Sequence, residues 1–559
     1  MIKVIRSMIY ALPLLFLAVF FLLPVGAIGR RALFPNGALA WNQITGVFSN
    51  RGLMGVIWFS AWQAALSTML TLLVATPAAY VFARYQFWGK TALRSLAAVP
   101  FVLPTVVVAL AFGALLSERG LLNTTLMHWL DLATPPIRIE NSLTLILLAH
   151  VFYNWTIVLR LVGGYWSSAD PRLEEAARVL GASRWRVWRE ITLPLVAPAL
   201  GAAALLVFTF TFAAFGTVLI LGGPTFRTIE VEIYDQAVNQ FNLPVAAVLS
   251  LLQMALTLAL TVVYTRLVRR TAVAQDTRPQ AARLVKTWAE RLAVGGVIVV
   301  MLLLLAAPLL ALLVRAFTVD GAWSTRYFTL LNENPRGAYF YVPPLQAVQN
   351  SLQYAVITML LALLFGVPAA YLLARPRSRI TRALDPLFML PLGTSAVTLG
   401  FGYIIAFRSY TIFGFATPDM RRWSGLLPLA HTLLALPFVT RTMLPALRRL
   451  NPRVREAAAV LGASPFRVWW AVDAPLLLPA LVVSALFAFT VSLGDFGAAL
   501  VIGATSPETA TMPTVIYRFF GQPGATNYGQ ALAMSSVLML VTLVSFALIE
   551  RLREQNAEF

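Results

Sequence analysis

The chain has 559 residues, 59% of them hydrophobic and only 12% charged, with a mean hydropathy of +0.77. Soluble domains carry about 45–50% apolar and about 25% charged residues, so a soluble enzyme, a disordered chain and a coiled coil are excluded. The net charge of +20 and the absence of cysteine leave no disulfide, thiolate metal site, iron–sulfur cluster or cysteine nucleophile, and the basic excess suits loops facing anionic lipid rather than nucleic acid.

Twelve apolar segments follow in chain order. The first six are Met8–Ile28, Ile57–Phe82, Leu96–Leu116, Leu143–Val162, Leu195–Leu221 and Val245–Thr265. The second six are Leu292–Val314, Ser351–Leu373, Leu384–Phe407, Leu427–Leu447, Leu477–Ile502 and Tyr528–Ile549. Each is long enough to cross about 30 Å of hydrocarbon as a helix. Lys3 and Arg6 precede the first segment as in a signal peptide. The run is too long for that, and Val25-Gly26-Ala27 is a poor cleavage site, so a retained first helix is expected. Trp41, Trp58, Trp62, Trp155 and Trp166 are expected as interface anchors. Arg160 and Arg441 are expected to snorkel to the cytoplasmic interface.

Lys and Arg alternate between loops. With the N-terminus inside, 28 fall on the cytoplasmic side and 13 opposite. The bias predicts both termini in the cytoplasm. It also places there a basic linker, 267–291, with Arg269, Arg270, Arg278, Arg283, Lys286 and Arg291.

A shift of 281 residues lays Glu175–Leu200 on Glu456–Leu481, with 16 of 26 positions identical. The register holds from His150 onto His431, Arg160 onto Arg441, and Phe215-Gly216 onto Phe496-Gly497. Apolar composition alone does not align these residue types. The expected fold is therefore all-α and polytopic, with about twelve membrane helices in two parallel-related halves of six, 1–266 and 292–559.

The repeated segment is amphipathic. Asp170 suits a helix N-cap and Pro171 the position after it. Glu174 and Glu175 suit the positive end of that helix. Gly181 allows the left-handed turn that ends it. A second short helix from Arg184 and then Pro194 lead into the fifth span. The second copy carries Pro452, Glu456, Gly462, Trp469, Pro475 and Pro479. An amphipathic anchor accounts for the tryptophans and arginines, but not for two near-identical copies at equivalent places.

These residues resemble the coupling loop of ATP-binding-cassette importer permeases: Glu-Ala-Ala, three residues, Gly, nine residues, an aliphatic residue, two residues, Pro. The first copy is Glu175, Ala176, Ala177, Gly181, Ile191 and Pro194; the second is Glu456, Ala457, Ala458, Gly462, Val472 and Pro475. The resemblance implies a MetI-like membrane channel in the bacterial inner membrane. Two copies of a separate ATPase would grip the loops from the cytoplasm. A periplasmic or lipid-anchored solute-binding protein would dock opposite, with Arg30–Leu53, Ser117–Ser142, Val319–Asn350 and Arg408–Ser424 as candidate loops. The chain has no GxxxxGK[ST] phosphate loop, so no cofactor is expected on it and the ATPase chemistry belongs to its partner.

Six plus six helices in one polypeptide is similar to the fused ferric-iron and thiamine permeases. The segments LAHVFYN (Leu148–Asn154) and SLGDFG (Ser492–Gly497) are most similar to thiamine permeases; a ferric-iron permease is the alternative. Asp495 lies within an apolar span, where a carboxylate is costly unless it faces a polar path or a structural partner. Its counterpart is Ala214, so the repeat does not require it. Asp495, with Gly494, Gly497 and Gly216, is the candidate solute pathway. His150 and His431 are expected to make one interhelical hydrogen bond each. An ion-coupled secondary transporter is the rival class; it predicts paired intramembrane carboxylates, and this chain offers one.

Overall fold

A computed structural model describes residues 2–35, 37–170, 172–272, 282–319, 321–333, 342–374, 379–409, 411–412, 415–416, 418–503 and 509–557. Pro171, Arg278 of the linker, and parts of the loops Val319–Asn350 and Arg408–Ser424 lie outside them. Among the described residues, eleven helical segments are long and apolar enough to cross a membrane, and a bent pair makes a twelfth. They are Tyr10–Leu33, Arg51–Arg84, Thr105–Leu130, Leu143–Ser168, Arg184–Phe212 and Leu243–Leu267, then Trp288–Ala316, Pro344–Ala374, the bent pair, Leu426–Arg449, Pro465–Gly494 and Ala525–Arg551. We refer to them as spans one to twelve.

Local chemistry sets several starts. The Asn50 side chain accepts from the amides of Gly52 and Leu53 and opens span two. Ser142 does the same for span four through Leu145. Thr287 and Glu290 form a reciprocal capping box at span seven.

Two expected spans are broken. Leu96–Leu116 contains a helix end at Ala98, a tight turn over Val99–Phe101 and a new helix, Thr105–Leu116. Leu384–Phe407 bends by 100° between Leu384–Gly393 and Ala396–Ala406. Pro100 and Pro104 mark the first break and Pro391 the second. Each removes a backbone donor and disfavours helix in the residue before it.

Prolines also explain four wide turns. Ala18–Leu22, Trp188–Thr192, Leu302–Ala306 and Trp469–Asp473 are π-helical. Each ends two residues before a proline: Pro24, Pro194, Pro308 and Pro475. A proline ring collides with the carbonyl four residues back, and a wider turn relieves the collision without ending the helix.

The chain forms two compact units, and neither is one sequence half. One comprises Met1–Thr45, Ile233–Leu251 and Ser324–Phe559; the other comprises Gly46–Glu232 and Leu252–Trp323. In the first unit, span one packs among second-half helices. Phe16 stacks on Phe365 with ring centroids 4.2 Å apart. Phe21, Tyr354, Phe388, Tyr403 and Phe407 share the same core. In the second unit, Val294 of span seven packs with Val81 and Tyr85 of span two.

Of the five tryptophans expected as anchors, Trp41 and Trp58 are exposed and Trp62 is half-buried, but Trp155 and Trp166 are buried. Span four is enclosed by its neighbours, so its tryptophans are core residues. Arg160 and Arg441 are exposed.

Candidate functional site

The first elbow follows span four. The Asp170 carboxylate accepts from the Arg172 amide at 3.0 Å and caps the helix Arg172–Val179. Gly181 stops that helix with φ +86°. Its amide donates to the Arg178 carbonyl, and the Ala182 amide donates to the Ala177 carbonyl, both at 3.0 Å. Ser183 then caps Arg184–Val187 through the Arg186 amide, and the π turn leads into span five.

The second elbow repeats this in its own unit. Asn451 caps Pro452–Val460 through the Arg453 amide at 3.0 Å. Gly462 has φ +82°. The Gly462 and Ala463 amides donate to Ala459 and Ala458 at 3.0 and 3.1 Å. Ser464 caps Pro465–Val468.

Most motif side chains face outward. Glu175, Ala176, Gly181 and Pro194 are exposed, while Ala177 and Ile191 are half-buried. Glu456, Ala457, Gly462 and Pro475 are exposed, and Ala458 and Val472 are half-buried. The helix ends present bare apolar pairs: Val179 and Leu180 are each 87% exposed, Val460 and Leu461 each 88%. Trp185 stacks on Trp188 in the helix that follows the first pair, with centroids 5.1 Å apart. Two exposed apolar pairs on polar helices thus recur at the same place in both halves.

Glu174 behaves differently. Its carboxylate turns inward and accepts from Arg84 and from the Thr192 hydroxyl. At the equivalent position, Arg455 donates to Asp473. The sequence reading used Glu174 only for its place at a helix end.

The intramembrane polar cluster lies in the first unit. Asp495 Oδ2 meets His431 Nε2 at 3.1 Å and accepts from the Ala499 amide at 3.0 Å, capping the helix Gly497–Gly503. His431 Nδ1 lies 2.7 Å from Ser492 Oγ. Gly494 precedes the carboxylate. A Cβ on Gly497 would lie 3.1 Å from Ala396 Cβ, so this glycine permits close packing against span nine. Gly216 is buried at the start of Gly216–Leu221 in the other unit. His150 Nδ1 meets Ser67 Oγ at 3.0 Å. The repeat-related histidines therefore use serines from non-equivalent spans, two and eleven.

Two further serines escaped the sequence reading. Ser60 Oγ accepts from the Ile229 amide at 2.9 Å, and Ser351 Oγ from the Met512 amide at 2.8 Å. Each supplies an acceptor to a short helix, Ile229–Tyr234 or Met512–Phe520. A signal existed: a shift of 291 lays Tyr80 and Arg84 on Tyr371 and Arg375, and brings Ser60 onto Ser351.

Residues 75–273 and 362–555 match the family described as binding-protein-dependent transport system inner membrane component. The two matches cover more than half of the chain. The chain belongs to this family. Both matches begin beyond the first span of their half, the span that packs in the other unit. The permease is 27% identical over 540 residues to the thiamine transport system permease protein ThiP of Escherichia coli, covering 93% of this chain and 94% of that one. It is 28% identical to ThiP of Salmonella typhimurium over 536 residues, covering 94% and 92%. The molybdenum transport system permease protein ModB of Mycobacterium tuberculosis is 34% identical over 260 residues, 45% of this chain and 89% of that one. A solved bacterial ABC transporter involved in import of the acidic polysaccharide alginate is 19% identical with a TM-score of 0.41, covering 48% of this chain and 96% of its own. Within the permease, the elbows are the duplicated outward-facing feature, and Asp495 with His431 is an enclosed polar pair between spans ten and eleven.

Proposed function

We propose that this permease imports thiamine, or a related small cationic solute, across the inner membrane. Two copies of a separate ATPase grip Val179-Leu180 and Val460-Leu461 and the neighbouring Glu175 and Glu456. The termini and both elbows lie in the cytoplasm, and a solute-binding protein delivers cargo from the other side. ATP is hydrolysed on the partner; this chain binds no cofactor and moves solute by alternating access. The observation that carries the substrate is likeness to thiamine permeases over nearly the whole length of both chains.

Asp495 is the residue that suits a cation. A buried carboxylate is stable only while it is well partnered, and His431 with the Ala499 amide supplies hydrogen-bond partners in this conformation. A passing cation takes over from those partners when the spans rearrange. The test is uptake in proteoliposomes holding the permease, its ATPase and its binding protein. ATP-dependent thiamine accumulation is expected, and Asp495→Asn should reduce it about tenfold or more while ATPase attachment persists. Accumulation of ferric ion without thiamine would overturn the substrate.

A further inference from the structure

Both elbows are fastened to the span that follows them at the same two positions, by bonds of opposite polarity. In the first elbow the residue before Glu175 is Glu174, whose side chain is only 14% exposed. Its Oε1 accepts from Arg84 Nη2 at 3.2 Å, at the end of span two, and from Thr192 Oγ1 at 3.1 Å, where the π turn enters span five. Arg178 adds an exposed contact at 3.5 Å. Arg84 Nη1 also donates to the Ala169 carbonyl at 3.3 Å.

In the second elbow, 281 residues on, Glu174 becomes Arg455 and Thr192 becomes Asp473. Arg455 Nε donates to Asp473 Oδ1 at 2.7 Å, and the Asp473 side chain is 8% exposed. The acceptor has moved from the elbow helix to the span, and the donor has moved the other way. The bonded positions have not moved. An incidental ion pair explains either bond alone. It does not explain the same two positions being joined in both halves by different chemistry.

The elbow needs such a bond. Helices this short are marginal by themselves, and a glycine turn separates each from its span. Without a cross-link, a pulled elbow rocks about that glycine and the span stays still. Partly buried, charge-assisted hydrogen bonds resist this because breaking one strands a charge.

We propose that the position before each Glu-Ala-Ala and the position two before the fifth-span proline form a tether. It carries the movement of the docked elbow into spans five and eleven. Glu174, Thr192, Arg455 and Asp473 are positioning residues. The inference rests on the elbows being the ATPase dock, not on the identity of the solute.

The absence of cysteine makes the test clean. A single cysteine replaces Val491 in span eleven, and its alkylation is followed with and without ATP in the complete transporter. In Asp473→Ala, ATPase attachment and hydrolysis should persist while the ATP-dependent change in alkylation shrinks about fivefold or more. Exchanging the pair, Arg455→Asp with Asp473→Arg, should restore the change to within about twofold. A wild-type response in Asp473→Ala overturns the tether, as does an assembled exchange variant without recovery. If Asp473→Ala does not assemble, Thr192→Val, with the cysteine at Phe210 in span five, is judged by the same loss or retention. An intact alkylation response without thiamine uptake in the cysteine reporter alone would refute the solute and leave the tether standing.

Discussion

Gly181 and Gly462 hold positive φ, and nothing lies within 4 Å of where a Cβ would sit. The cost of a side chain there is therefore conformational, about 1–2 kcal/mol for an L-residue in this region. Gly181→Ala with Gly462→Ala should weaken ATPase co-purification several-fold and leave the melting temperature of the spans unchanged. Asn at both positions should recover most of the loss, because it tolerates the left-handed region. Equal loss in the Asn pair would show that space, not backbone geometry, sets the requirement. Gly366 is the opposite case. Its backbone is ordinary, but a Cβ would stand 2.5 Å from Val439 Cγ1. Here span eight touches span ten through the missing side chain, as small residues allow in membranes. Gly366→Ala should destabilise by about 1–3 kcal/mol, seen as a lower melting temperature in detergent. Val439→Ala in the same chain should return part of it.

Elements were legible where one-dimensional signals suffice. Length and apolarity located the spans, and the 281-residue register located both elbows with the Asp170 cap and the glycine turns; the caps at Ser183, Asn451 and Ser464 emerge only from the structure. The breaks at Pro100–Pro104 and Pro391–Ser395 were not legible, because a proline inside an apolar run scarcely changes its hydropathy. The same holds for the π turns at Ala18–Leu22, Trp188–Thr192, Leu302–Ala306 and Trp469–Asp473, although each of these four ends two residues before a proline. Partnerships were also hidden. Asp495 was singled out as a costly buried carboxylate, but its partner His431 is 64 residues away, and spacing does not say which helices adjoin. The Glu174 and Arg455 bonds were obscured further, because their residue types differ between the copies and an identity match passes over them. Trp155 and Trp166 read as anchors because tryptophan prefers interfaces; only the enclosure of span four makes them core.

At the scale of the molecule, the sequence halves and the compact units disagree about the first spans. Span one lies with second-half helices: Gly402 is so close that a Cβ on it would be 3.1 Å from both Ile28 Cδ1 and Pro24 Cβ. Span seven lies with first-half helices, and its approach is strapped. Arg283 and Leu284 pair in parallel with Tyr85 and Gln86. The Arg283 guanidinium stands 4.8 Å from the centre of the Tyr85 ring and donates to its hydroxyl at 2.7 Å. Each half thus contributes to the unit built mainly from the other: the first half gives Met1–Thr45 and Ile233–Leu251, the second gives span seven. Coexpressing the chain as two polypeptides, cut within 273–281, should give fragments that co-purify in about equal amounts. Removing residues 1–35 from the first fragment should lower that recovery, because the surface around Tyr403 and Phe407 loses its cover. Replacing Tyr85 with Ala should lower it less, since that change cuts the strap but leaves the Val81–Val294 packing in place. Fragments that separate in mild detergent while each remains folded would mean that the exchanged spans do not hold the halves together.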